Sequence, residues 1–303
     1  MRVLLGVDGA QSSDRAASLV ANLAWPVGST IDVLTAYPGA VDRVENVGMA
    51  PSADLAQERE NAVKVAAQAL VADAARKFAA ADVTVETRVV RDRASKAILD
   101  EAARFEADLI VLGNRDQGAI ESAVLGSTCL EVVDQSHRPV LIARRDRMDR
   151  ILVGEAGSKG AAAGLEFVRR WSVFHGARVR VLSVSDHDAL WMPWLRGEAR
   201  RESDNAAAAQ AHAAREALAG ATASTLRGAG VHAEALVEDG SPAHGLVEAA
   251  AEWEADLIVV GSRGETGLER LLVGSVSRAV LYHAPCSVLI VPEPQASPAG
   301  DRE

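Results

Sequence analysis

Two glycine-rich stretches hold the residues best suited to chemistry in this chain of 303 residues. The fuller one, GSRGETGLERLLVGSVS, runs from Gly261 to Ser277 and contains Gly261, Gly264, Gly274, Ser275 and Ser277. It follows the apolar run Leu257 to Val260, which reads as a buried strand, and leads into Val276 to His283, which reads as a helix. Glycines at a strand-to-helix turn let the backbone take positive φ and approach a ligand closely. The loop amides and the N-terminus of the following helix would then face an anion, above all a phosphate. Ser275 and Ser277 add hydroxyl donors without adding charge. Glycines after a strand also serve simply to make a tight turn. What favours phosphate is the combination of strand, loop, helix and an upstream partner segment.

Other chemistries find little support. The seven histidines include no pair at metal-ligand spacing on one helix. No G-x4-G-K-[ST] pattern occurs, and GEAGSKG from Gly154 lacks the glycine order of a dinucleotide fingerprint. No nucleophile, base and acid set is recognisable, and Ser12, Ser13 and Ser158 read as helix caps. Trp191, Met192, Pro193 and Trp194 fall in a loop at the ligand edge, suited to covering a nucleotide, to an interface or to packing on the chain's own core. No catalytic residue and no metal site is expected.

The elements that must position these residues come from a repeat. ADLIVLGNRDQGAIESAVLGSTCLEVV, from Ala107, lies without a gap over ADLIVVGSRGETGLERLLVGSVSRAVL, from Ala255, an offset of 148 residues. Near the starts, RVLLGVDGAQSSDRAA matches RILVGEAGSKGAAAG, and Asp8 is set against Glu155. In the first half, strands are expected at Val3–Val7, Thr30–Ala36, Val83–Val90, Asp108–Leu112 and Pro139–Ala143. Helices are expected from Ser12 or Ser13 to about Ala24, at Ala53–Ala81, at Ala94–Phe105 and from Ser127 to about Ser136. The second half repeats the plan, with helices from about Ser158 to Phe174, at Asp204–Arg227 and at Ala243–Trp253. Alternating strands and helices imply a parallel sheet covered on both faces, with ligands beyond the carboxyl ends of the strands where strand order reverses. The first and fourth strands of each half meet that condition.

Composition sets the outer limits. Length suggests two domains, and 49% hydrophobic with 24% charged residues is ordinary for globular material. A formal charge of -10 opposes nonspecific attraction to nucleic acid or to anionic lipid, so neither is expected as a partner. Two cysteines, Cys129 and Cys286, no signal segment and no membrane-length apolar run lead to the expectation of a cytoplasmic protein.

The spacing G-x2-G-x9-G-S and the closing HAPCSVLIV resemble the universal stress protein family, and the resemblance covers nearly all of residues 1 to 292. It implies an α/β fold of two tandem five-stranded parallel-sheet domains, Rossmann-like and similar to adenine nucleotide alpha hydrolases. They span residues 1–146 with a degenerate glycine loop and 147–292 with an intact one, ahead of a disordered tail at 293–303. It also implies ATP or a related adenine nucleotide as ligand, with Mg2+ a candidate shield for its phosphates, in a stress-response or regulatory role. An acidic residue after the first strand would contact the nucleoside and the glycine loop would hold the phosphates. Carried over, the second half supplies Gly261, Gly264, Gly274, Ser275, Ser277 and Glu155, and the first Asp8, Gly113, Gly126 and Ser127. Asp116 replaces the second glycine of the first loop. At about 5 Å and an effective dielectric of about 20, its carboxylate would cost about 3 kcal/mol against each phosphate charge, so the second half is expected to bind better. The family's pairing habit implies an internal pseudo-dimer of the two halves through their last strands, with a homodimer also open. A nucleotide-independent interaction scaffold and a slow ATP hydrolase stay open as other readings.

Overall fold

The computed structural model describes residues 1–38, 53–114, 125–185, 198–262 and 273–293. It divides into two compact units, Met1–Met148 with Cys286–Leu289, and Asp149–Pro285 with Ile290–Glu303.

In the first unit β1 (Arg2–Gly6), α1 (Gln11–Asn22), β2 (Thr30–Tyr37), α2 (Ala53–Arg76), β3 (Thr84–Arg91), α3 (Ala94–Arg104), β4 (Leu109–Gly113), α4 (Ser127–Gln135) and β5 (Val140–Ala143) follow one another. The strand order is β3-β2-β1-β4-β5, and the pairs from β3 to β5 are parallel. Order therefore reverses between β1 and β4, as the ligand-edge argument requires. These inner strands are buried on both faces: Val3, Leu4, Leu5, Ile110 and Val111 have no exposed surface. Such continuous apolar runs mark the centre of a parallel sheet, and each fully buried Leu, Ile or Val contributes roughly 1.5–3 kcal/mol. Helix α1 buries Ser12, Ser13, Ala16, Ala17, Leu19 and Val20, the face given by the helical repeat. Its end is fixed by Trp25, whose indole N–H donates to the Val20 carbonyl at 2.7 Å. In α2 the buried face is Ala67, Val71 and Ala74, continued by Phe78 after the helix ends.

The second unit repeats the order: β6 (Arg150–Gly154), α5 (Lys159–Arg170), β7 (Arg178–Ser185), α6 (Glu198–Gly228), β8 (His232–Asp239), α7 (Pro242–Glu252), β9 (Leu257–Gly261), α8 (Ser275–His283) and β10 (Ser287–Val291). Strand order is β8-β7-β6-β9-β10. Every strand begins 148 residues after its counterpart except β10, which begins one residue early. Three expectations shift, the first being the helix expected at Ala53–Ala81, which ends at Arg76. Helix α6 starts at Glu198 rather than Asp204. The helix expected to reach Phe174 stops at Arg170 and gives way to a 3-10 turn at Ser172–Phe174. That turn seats the buried Phe174 against Phe167, with ring centres 5.8 Å apart. The expected tail, from residue 294 on, lies outside the described residues.

Candidate functional site

In the first unit the ends of β1 and β4 and the first turns of α1 and α4 enclose a cavity of about 220 Å3. Asp8, Gly113, Gly126 and Ser127, the four first-half residues singled out by sequence, all line it. Ser12, Ser13, Ala36, Ile98 and Cys129 complete much of the wall. Asp8 is exposed at the mouth. One of its carboxylate oxygens accepts the Ala10 N–H at 3.0 Å, and its own N–H donates to Ser13 Oγ at 3.3 Å. Among the described residues its second oxygen has no hydrogen bond. Gly9, at φ 81°, makes the turn that carries the chain from Asp8 into α1. The expected capping by Ser12 or Ser13 takes another form. Both serines sit buried inside the first turn, and Ser13 Oγ donates back to the Ala10 carbonyl at 2.9 Å.

Helix α4 opens at the cavity with Gly126 as its N-cap and no side-chain cap. The N–H groups of Ser127, Thr128 and Cys129 therefore lack intrahelical partners, and all three residues line the cavity. They form a donor cluster with the partial positive charge of a helix start. Cys129 sits against this turn as a neutral thiol, because burial pushes it up to about 11; its Sγ donates to the Gly113 carbonyl at 3.3 Å. A thiol held in that state is not a nucleophile.

The first glycine of each loop has a different physical reason from the one expected. A Cβ on Gly113 would stand 2.4 Å from the Ser12 carbonyl carbon, and one on Gly261 2.2 Å from that of Gly160. These glycines let the first turn of α1 or α5 pack directly on a strand end. Neither they nor Gly126 and Gly274 have positive φ, which appears instead at Gly9 and its counterpart Gly157.

In the second unit the expected partner of Asp8 is displaced by one residue. The Val7 N–H donates to the Leu34 carbonyl, and in the same ladder position the Glu155 N–H donates to the Leu182 carbonyl. Glu155 thus stands where Val7 does, and Ala156 takes the place of Asp8. Glu155 is only 7% exposed. Its carboxylate accepts the Thr222 hydroxyl of α6 at 2.9 Å and the Gly157 N–H at 2.8 Å, so both oxygens serve internal packing. Glu155, expected as a nucleoside contact, thus keeps no carboxylate oxygen without an internal partner. Ser277 is likewise committed: buried, it donates to the Gly261 carbonyl at 2.6 Å, the counterpart of the Cys129 contact. Ser275 is exposed at the start of α8, and Gly274 is its N-cap. At the positions of Ser12, Ser13 and Ala36 stand Gly160, Ala161 and Val184. The hydroxyls are lost and a larger side chain enters the wall.

Sequence reasoning missed Ser12, Ser13 and Ala36 as cavity residues. Their signal was available in the repeat, as small or polar positions in one copy that became glycine, alanine or valine in the other. Gly264, Asp116, Trp191, Met192, Pro193 and Trp194 lie outside the described residues. Among the described residues no group of three or more His, Cys, Asp or Glu is placed to hold a metal, and no helix is long and apolar enough to cross a membrane.

The family model described as the Universal stress protein family matches residues 1–144 and again 148–292. A universal stress protein of Mycolicibacterium smegmatis is 28% identical over 300 residues, covering 95% of this chain and 96% of the relative. One of Mycobacterium tuberculosis is 28% identical over 305 residues with the same coverage. Among solved structures, a universal stress protein from Archaeoglobus fulgidus superposes with a TM-score of 0.68 at 19% identity, covering 97% of this chain and 98% of that one, a likeness of fold.

Proposed function

The chain belongs to the universal stress protein family in both of its halves, and from that premise we propose that it binds an adenine nucleotide, with ATP the candidate, in a stress-response or regulatory role. The observation that carries this reading is the first-unit cavity, which gathers Asp8, Gly113, Gly126 and Ser127 at the switch between β1 and β4. The residues present suit such a ligand. An exposed carboxylate with a spare oxygen accepts from ribose hydroxyls, small and apolar walls at Ala36 and Ile98 take a flat base, and the open start of α4 faces negative charge. At about 220 Å3 the cavity is below the roughly 300–1,000 Å3 of pockets that bury whole drug-sized ligands. It takes the nucleoside portion and leaves the phosphates toward α4. Mg2+, if it takes part, is held through those phosphates rather than by a protein cage.

On this reading nucleoside recognition belongs to the first unit, the reverse of the preference drawn from the glycine loops alone. In the second unit an alanine replaces the acid, Glu155 is turned into α6, and Val184 narrows the wall. That half suits an interaction or structural role. The proposed action is binding rather than catalysis: the one thiol of the cavity, Cys129, is held neutral and offers no nucleophile. The test is mass spectrometry of nucleotide carried through purification, with calorimetry of ATP binding to the full chain. A nucleotide-free protein whose melting is unchanged by ATP would overturn the proposal.

A further inference from the structure

A second cavity, wider and more open, lies in the second unit at the amino ends of β7 and β8, the opposite end of these strands from the glycine loops. It encloses about 650 Å3, and Arg178, Arg180, Arg227, His232, Glu234 and Trp253 line it. Parallel pairing sets Arg178 opposite His232 and Arg180 opposite Glu234. Alternate residues of a strand share a face, so these four side chains emerge together. Arg227 comes from the last turn of α6, and Trp253 follows α7 as its C-cap.

The charges do not cancel. Glu234 is the sole carboxylate among the lining residues, and it is paired with Arg180. Arg180 in turn lies over the Trp253 ring, its guanidinium carbon 4.4 Å from the centroid. Arg227 is exposed and, among the described residues, reaches only a neutral acceptor, the Ala233 carbonyl at 2.8 Å. The exposed Arg178 side chain has no hydrogen bond among the described residues. Two guanidinium charges are thus left uncompensated beside an indole, on a chain whose formal charge is -10. Nor does the fold demand this arrangement. At the same six places the first repeat has Thr30, Asp32, Ala79, Thr84, Glu86 and Phe105, which is an acidic and neutral set.

We propose that this groove binds a phosphate-bearing small molecule, with Arg178 and Arg227 holding the phosphate and Trp253 offering apolar surface to the organic part. Guanidinium forks match phosphate oxygens two at a time, and the volume falls within the roughly 300–1,000 Å3 typical of small-molecule sites. The site shares no residue with the first-unit cavity, so it stands or falls independently of the proposed nucleotide binding.

The test titrates the full chain with inorganic pyrophosphate at low ionic strength, by calorimetry and by tryptophan emission, with sulfate in parallel. Saturable binding is expected, at least tenfold weaker in Arg178→Ser and in Arg227→Ser and unchanged in Arg59→Ser, an exposed arginine of α2 that lines neither cavity. Trp253→Phe should abolish the emission response while heat of binding remains. Absent binding in the parent, equal affinity in Arg178→Ser, or sulfate binding as tightly as pyrophosphate would each overturn the proposal. Arg227→Ser also removes the bond to Ala233, so a melting curve accompanies it. If that variant unfolds, the exposed Arg178 decides alone.

Discussion

Replacing Asp8 and Glu155 separately by alanine should produce opposite patterns, because the two carboxylates do different work. Asp8 is exposed and spends one oxygen on the Ala10 N–H. Asp8→Ala then forfeits one ordinary hydrogen bond, about 0.5–1.5 kcal/mol of stability. On the ligand side it removes a charged acceptor, for which about 1.5–3 kcal/mol is typical. ATP affinity should fall roughly 10- to 150-fold at 1.4 kcal/mol per tenfold. Glu155 is buried, and its removal orphans the Thr222 hydroxyl and the Gly157 N–H while opening a small void. Those losses amount to about 2–4 kcal/mol. For a unit of this size each 1 kcal/mol moves the midpoint roughly 2–4 °C, so Glu155→Ala should lower the second unit's melting by roughly 5–15 °C with ATP affinity unchanged. Calorimetry run both as titration and as a thermal scan reads both quantities. If Glu155→Ala weakens ATP while Asp8→Ala does not, Asp8 is not the ligand contact.

Two further outcomes follow from packing and burial. Gly261→Ala should destabilise the second unit by about 3 kcal/mol or more, since the added Cβ meets the Gly160 backbone at 2.2 Å and no flexible side chain can yield; a melting scan indistinguishable from the parent's would refute the close-packing argument. Asp32, fully buried on β2 beside Arg88 and Glu101, is pushed up to about 6 by burial and by its hydrogen bond to Glu101, with Arg88 opposing. It binds its proton more tightly folded than unfolded, so this stabilisation is complete below about pH 3.8 and is lost as pH rises through about 6. Asp32→Asn should raise the first unit's melting at pH 7.5 relative to the parent and flatten its dependence between pH 5 and 7; a variant that keeps the parental slope would show that another group sets it.

Much of this architecture is legible in the sequence because its signals are redundant. The repeat fixes where ten strands begin, and alternation of strand and helix dictates a parallel sheet whose order reverses beside Asp8 and Gly113. What escaped lies in helix ends, off by four to six residues at Arg76, Arg170 and Glu198, in single-residue registers and in contacts between distant segments. GVDG and GEAG each place an acid near a glycine, so composition invites an equation of Asp8 with Glu155. Only the ladder bonds from Val7 to Leu34 and from Glu155 to Leu182 reveal the slip. The slip matters because neighbouring strand residues point to opposite faces, so one position exchanges a ligand-facing side chain for a core-facing one. Gly113 and Gly261 posed a similar problem. A glycine needed for helix packing and one needed for phosphate look the same until Ser12 and Gly160 are seen behind them.

That one-residue slip makes the second unit a place to rebuild the site. Gly157 has φ 76° against 81° for Gly9, so the turn after the strand is already the same in both halves. Glu155→Val combined with Ala156→Asp gives the second turn the Val-Asp-Gly sequence of the first, and Val184→Ala restores the small wall residue seen at Ala36. Removing the Glu155 carboxylate leaves Thr222 unpaired, so Thr222→Ala, the residue found at the equivalent Ala74, belongs in the same variant. The expected result is a second ATP-binding event per chain in calorimetry, carried by the complete set of four substitutions and absent when Ala156→Asp is left out. Should the full set still bind as the parent does, a carboxylate beyond the first strand is not sufficient for recognition. The difference between the halves would then lie in the hydroxyls of Ser12 and Ser13, which Gly160 and Ala161 lack.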